Sequence, residues 1–140
     1  MEKIKILLVE DEEILAIVVK ETLEKRGFVI AIATNGVEGW NKFKYDKPDI
    51  CLIDIIIPRK DGLSLVADIR KVDELVPIIF VTAKTQTADV LKGLEIGADD
   101  YIKKPFSMDE LVLRIKGLIR RTARATKELF WHRDSYPIIQ

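Results

Sequence analysis

The sequence predicts an α/β domain: a doubly wound, five-stranded parallel sheet in the order 2-1-3-4-5, with helices on both faces to make a three-layer sandwich. Three observations predict it. Five short apolar runs, "IKILLV", "VIAIA", "ICLID", "PIIFVT" and "DYIKK", recur at regular intervals. Helical patterns fill the gaps, and strict alternation of strand and helix implies parallel strands joined by crossovers. The first, third and fourth runs also show little apolar–polar alternation, as expected of strands covered on both faces.

The elements follow in order. After the first strand, Glu12 to Arg26 places Leu15, Val18, Val19 and Leu23 at helical spacing and stops at Gly27, a natural helix-ending residue. "VIAIA" is the second strand. "TNGVEGWNKF" offers Asn35 as an N-cap and runs on until "KPD". The third strand is "ICLID"; "LSLVADIRKV" then reads as a helix ending before Pro77. "PIIFVT" is the fourth strand, and "TADVLKGLEIG" a helix ending at Gly97. "DYIKK" is the fifth. The last helix begins at Ser107, with Glu110 three residues on in a capping-box pattern, and continues to about Lys127.

With 140 residues the chain has the size of one ordinary domain. Its 23 basic and 23 acidic residues cancel, which argues against a wholly basic nucleic-acid binder, and 48% apolar content argues against disorder. The single cysteine, Cys51, has no internal partner and lies inside an apolar run, so it reads as a buried thiol in a reducing compartment. No run approaches the roughly 20 apolar residues of a membrane span, and the N-terminus lacks a signal-peptide pattern. The expected location is the cytoplasm, with no membrane partner.

Unusual polar residues gather at one edge of this sheet. Glu10 and Asp11 close the first strand, Asp54 the third and Thr82 the fourth, and Lys104 follows the fifth. Ligands of open α/β sheets bind beyond the carboxyl ends of the strands, at the switch point between strands 1 and 3. Two carboxylates ~4 Å apart repel by roughly 4 kcal/mol at an effective dielectric of 20. A hard divalent cation relieves that repulsion, and carboxylates with waters and a backbone carbonyl suit Mg²⁺ better than zinc, which favours His and Cys. Lys104 and Thr82 would complete a pocket for a tetrahedral anion. A carboxylate facing that pocket can attack phosphorus to give an aspartyl phosphate.

The motifs "LLVEDEE", "DIIIPRKDG", "VTAK" and "GADDYIKKPF", in this order and spacing, resemble the receiver domain of bacterial response regulators, a flavodoxin-like (βα)5 fold, over roughly residues 3 to 121. The resemblance implies that Asp54 accepts the phosphoryl group. It implies that Glu10, Asp11, Asp54 and the backbone carbonyl of Ile56 hold Mg²⁺, for which Mn²⁺ can substitute. Lys104 would pair with phosphoryl oxygens, its bond to Pro105 being cis, and Thr82 and Tyr101 would form the switch pair. Ile14, Leu15, Pro105 and Phe106 occupy the positions where a sensor histidine kinase or phosphotransfer protein docks. Glu12 and Glu13 read instead as the start of a helix, where acids suit the positive dipole end. Three positions depart from the family pattern: Glu10 stands where many members have Asp, Lys60 stands where methionine is frequent, and Ile56, bulky and apolar, is read as shielding the acyl phosphate from water.

"GADDY" and "ELVLRIKGLIRR" are most similar to the OmpR/PhoB-type transcriptional regulators, which dimerise through helix 4, strand 5 and helix 5. This implies a homodimer on phosphorylation, with Leu91, Leu94 and Val112 at its apolar centre and Arg114 and Arg121 pairing with Asp99 and Asp100 across a two-fold axis. Val90 stands where that group often has a basic residue. The expected organisation is a receiver over residues 1–122 and an extension or linker over 123–140, leading toward a DNA-binding output domain not present in this chain. Phe130 and Trp131 lie in that extension, and His132 reads as a linker residue. The basic run Lys116, Arg120, Arg121, Arg124 and Lys127 reads as a solvated helix face, and Trp40 as core. The alternative is a stand-alone receiver acting in a phosphorelay or as an interaction switch. In either case the protein catalyses its own phosphorylation and dephosphorylation but is not a turnover enzyme. A phosphatase of the haloacid-dehalogenase type needs a second acid two residues after the nucleophile, where this chain has Ile56. A flavin-type phosphate loop would be rich in Ser, Thr and Gly where this chain has "EDEE".

Overall fold

A computed structural model describes residues 3–83 and 87–135, with the side chains of residue 87 and residues 123–135 excepted. The elements are β1 (Lys5–Val9), α1 (Glu13–Lys25), β2 (Val29–Ala33), α2 (Gly36–Asp46), β3 (Ile50–Ile53), α3 (Gly62–Val72), β4 (Ile78–Thr82), α4 (Thr87–Ile96), β5 (Asp100–Lys103) and α5 (Met108–Ser135). All pairings are parallel and the order is β2-β1-β3-β4-β5, as the alternating pattern predicts.

The sheet separates two cores. Ile6, Leu8, Leu52, Ile79 and Val81 point to one face and pack with Ala16, Val19 and Leu23 of α1 and with Leu111, Val112, Ile115 and Leu118 of α5. Leu7, Val9, Cys51, Ile53 and Phe80 point to the other, against Phe43 of α2 and Leu65, Val66 and Ile69 of α3. Alternate residues of each central strand therefore serve opposite cores, which is why β1, β3 and β4 carry no polar face. Cys51 is fully buried, and burial pushes its thiol up to about 12, so it is an inert core residue. Trp40 is half-buried at the rim, its ring stacked on Phe43 at 6.0 Å and covered by the Lys44 ammonium at 5.1 Å.

Local signals set the helix starts. Asn35 accepts a bond from the Glu38 N–H while Glu38 accepts one from the Thr34 N–H, a reciprocal cap. Asp61 caps α3 through the Ser64 N–H, and Ser107 caps α5 through the Glu110 N–H. Two expectations change. α5 does not stop near Lys127 but continues through the position 122/123 boundary to Ser135; the side chains of Phe130, Trp131 and His132 lie outside the described residues. Val112 is 2% exposed and belongs to the stripe that α5 lays on the sheet, whereas Leu113, one residue on, is 69% exposed. Val112 is thus a core residue and not the centre of an exposed face.

Candidate functional site

The sheet's hydrogen-bond ladder extends one residue beyond several strands and thereby places the polar groups. The Glu10 N–H donates to the Ala33 carbonyl at 2.9 Å, the Asp54 N–H to the Val9 carbonyl at 3.0 Å, and the Lys104 N–H to the Thr82 carbonyl at 2.9 Å. Glu10, Asp54, Thr82 and Lys104 are therefore held by backbone at a common edge. Among the described residues, the buried polar or charged ones are Glu10 (2% exposed), Asp54 (5%) and Thr82 (0%). Burying polar groups is costly unless they are paired, and all three lie in the predicted site.

The Lys104 ammonium stands at the centre, 2.7 Å from Glu10 Oε1, 2.8 Å from Asp54 Oδ2 and 2.5 Å from Glu12 Oε2. The second oxygens are held as well: Glu10 Oε2 accepts the Glu12 N–H at 3.1 Å, and Asp54 Oδ1 accepts the Ile56 N–H at 3.0 Å. Burial pushes the Glu10 carboxyl above the usual carboxylate range, although Lys104 pulls the other way. Desolvation acts to lower the Lys104 pKa, but the bonds to Asp54, Glu10 and Glu12 outweigh it and hold the ammonium above its ordinary value. The lysine is a fixed cation through the physiological range.

Three carboxylates against one ammonium leave the cluster with two net negative charges. Oxygens of Glu10, Glu12 and Asp54 lie within 4.8 Å of one another. The oxygens of buried Glu10 and Asp54 are donors of the kind Mg²⁺ takes, and the net negative charge of the cluster favours a cation. Asp11, assigned to the metal by the resemblance, is exposed. Glu12, assigned only to the helix start, instead turns its carboxylate into the cluster. Glu12 is the N-cap of α1, a position that favours Ser, Thr, Asp or Asn, and its side chain makes no capping bond.

The remaining predicted residues are distributed around this centre. The Lys104–Pro105 bond is cis. Tyr101 is half-buried against the α2–α3 side of the core. Leu15, Pro105 and Phe106 line one groove of about 430 Å³ together with Glu12, Ala83 and Lys104, and Ile14 is exposed on the same helix. Lys60 pairs with Asp68 of α3 at 2.5 Å, so the position that often carries methionine is tied by charge. Leu91 and Leu94 are exposed on α4. The acids expected to reach across a two-fold axis have partners within the chain: Asp100 pairs with Arg114 at 2.8 Å and Asp99 with Arg70 at 3.1 Å. Each arginine is on a helix within reach of its acid: Arg114 on α5 meets Asp100 at the start of β5, and Arg70 near the end of α3 meets Asp99 just before it. Arg121 is exposed.

Comparison with known proteins agrees with the fold and places the chain in a family. Residues 6–116 match the family model described as the response regulator receiver domain. The chain is 45% identical over 120 residues to the transcriptional regulatory protein RprY of Bacteroides fragilis, covering 86% of this chain and 51% of that protein. It is 42% identical over 120 residues to the transcriptional regulatory protein TrcR of Mycobacterium tuberculosis, covering 86% of this chain and 47% of that one. Among solved structures, the receiver domain of the Francisella response regulator 1452 is 34% identical with a TM-score of 0.81, covering 86% of this chain and 99% of that chain. A CheY-like receiver domain protein from Methanospirillum hungatei is 27% identical with a TM-score of 0.86, covering 89% and 99%. The chain belongs to the response regulator receiver domain family of two-component systems. It spans about half the length of the curated relatives it matches, and among the described residues no helix is long and apolar enough to cross a membrane.

Proposed function

We propose that this chain is a phosphorylation switch in which Asp54 is the phosphoacceptor. The observation that carries the reading is the treatment of its buried carboxylate, with one oxygen against the Lys104 ammonium and the other against the Ile56 N–H. That geometry presents a fixed, ionic nucleophile beside a fixed cation. A carboxylate oxygen attacks the phosphorus of a phosphohistidine on a sensor kinase or phosphotransfer protein. The O–P bond forms as the P–N bond breaks, and the electron pair leaves on the imidazole nitrogen. Lys104 neutralises charge on the transferred group, and the Thr82 hydroxyl, at the end of β4, moves toward it with Tyr101 turning inward behind.

Mg²⁺, or Mn²⁺ in its place, would be held by Glu10, Asp11, Asp54 and the Ile56 carbonyl, and supplies Lewis-acid neutralisation of the phosphoryl oxygens when bound. The donor phosphohistidine would approach over Ile14, Leu15, Pro105 and Phe106, three of which line the groove next to Lys104. The chain promotes its own phosphorylation and hydrolysis without being a turnover enzyme. The names of its relatives support a transcriptional output, with DNA bound by a domain outside this sequence. Leu91 and Leu94, exposed on α4, support a homodimer of phosphorylated chains. Cytoplasmic location accords with such a role.

The test is to phosphorylate the chain with acetyl phosphate, reduce with borohydride and map peptides by mass spectrometry. Conversion of residue 54 to homoserine is expected. Reduction at another carboxylate, or at none while Mg²⁺ still binds, contradicts the assignment.

A further inference from the structure

The Lys104 ammonium has three N–H donors, and three carboxylates occupy them at 2.5–2.8 Å. A phosphoryl oxygen arriving on Asp54 can bond this lysine only if one of the three lets go. Asp54 is the acceptor itself and its other oxygen is tied to the Ile56 N–H. Glu10 is buried, and its second oxygen holds the Glu12 N–H. Glu12 differs from both. Its side chain is 61% exposed, and it sits at a helix N-cap whose ordinary capping bond it forgoes. A residue that breaks the local preference of its position while bonding a reactive group is a candidate for a functional role.

We propose that Glu12 is a releasable latch on Lys104: it occupies the third donor of the ammonium in the unphosphorylated protein and surrenders it to the phosphoryl group. This rests on Asp54 being the phosphoacceptor. Glu12 is a positioning residue, acting through Lys104. It disfavours the phosphorylated state by competition and lends the lysine a fixed orientation before transfer. Solvent exposure is what makes it the yielding partner, since a freed carboxylate there is rehydrated at once.

Two variants separate the latch from mere negative charge. Glu12→Gln removes the charge. Glu12→Asp keeps it, but the shorter side chain falls short of Lys104 and suits the N-cap bond it would make instead. Affinity for beryllofluoride with Mg²⁺, read by ¹⁹F NMR, stands in for the phosphoryl group, and Mg²⁺ affinity alone is read by calorimetry. Both variants are expected to bind beryllofluoride about three- to fivefold more tightly, the scale of an exposed ion pair. Mg²⁺ affinity stays within about twofold, and Glu13→Gln, an equal charge change without contact to Lys104, behaves as the native chain. A Glu12→Asp variant indistinguishable from native would reduce Glu12 to a charge and overturn the latch. A marked loss of Mg²⁺ affinity in Glu12→Gln would make it a metal ligand and overturn it equally. Failure of the native chain itself to bind beryllofluoride, or retention of binding in Asp54→Asn, would instead strike the acceptor assignment.

Discussion

Gly62, the glycine of "DIIIPRKDG", lies against the backbone of Asp54 and Ile55. A Cβ built on it would fall 2.2 Å from the Asp54 carbonyl oxygen and 2.7 Å from the Ile55 Cα, and its N–H donates to the Ile55 carbonyl at 2.9 Å. No flexible side chain can yield there, so Gly62→Ala must displace the loop that positions Asp54. We expect a loss of about 2–3 kcal/mol in urea unfolding, the scale of overpacking, together with slowed phosphorylation. Ile56 is tied to Asp54 through its N–H, and its side chain is half-exposed. If that side chain shields the acyl phosphate, Ile56→Asn will hydrolyse it several-fold faster, on the order of 1 kcal/mol of barrier, measured by loss of the adduct mass over time. An unchanged lifetime would remove the shielding role. At Lys60 the pairing with Asp68 holds that carboxyl below its ordinary range. A lowered carboxylate pKa contributes stability above its unfolded value, and that contribution is lost as pH falls through the folded value. Lys60→Met should therefore flatten the acid side of the thermal-stability curve below about pH 4.

Elements are joined at the opposite end of the sheet by Arg70. Its Nε donates to the Gly97 carbonyl at 2.9 Å and its Nη2 to Asp99 Oδ2 at 3.1 Å, while the same Asp99 oxygen accepts the Ile78 N–H at 2.8 Å. The end of α3, the end of α4 and the start of β4 thus share one guanidinium. Arg70→Ala should cost about 2 kcal/mol, the scale of hydrogen bonds to a charged group, and speed amide hydrogen exchange at Ile78 and the α4 terminus. Undiminished protection there would show that the clamp is idle. Most of the element plan was legible in advance, because strands buried on both faces leave uninterrupted apolar runs and because Asn35, Gly27 and Ser107 mark helix ends. What escaped has physical reasons. The end of α5 could not be read from fading apolar periodicity, since no Gly or Pro interrupts the chain between Gly117 and Pro137. Val112 and Leu113 are neighbours on a helix, so a small error of phase exchanges core for surface. Glu12 was hidden by a good alternative, the preference of helix starts for acids.

At the scale of the whole molecule, the proposed switch requires one site and one surface to be coupled, and the sheet offers a link: Thr82 ends β4 in register with Lys103 at the end of β5. The positions of Asp54, Lys104 and Thr82 were visible from their strand ends, since a parallel sheet brings the carboxyl ends of its strands to one edge. The resemblance assigned Leu91 and Leu94 of α4 to a dimer interface; both are exposed, and a single chain carries no mark of what would cover them. We expect Leu94→Asp to accept phosphate as the native chain does and to weaken dimerisation about tenfold or more, the scale of one buried leucine, by analytical ultracentrifugation. Normal dimerisation of that variant would move the interface elsewhere. The most direct test of the central claim is the intact mass after incubation with acetyl phosphate, with and without Mg²⁺, for the native chain and Asp54→Asn. The account predicts one added phosphoryl group that requires both Mg²⁺ and Asp54. An adduct that persists in Asp54→Asn, or none at all on a native chain that binds Mg²⁺, would contradict it.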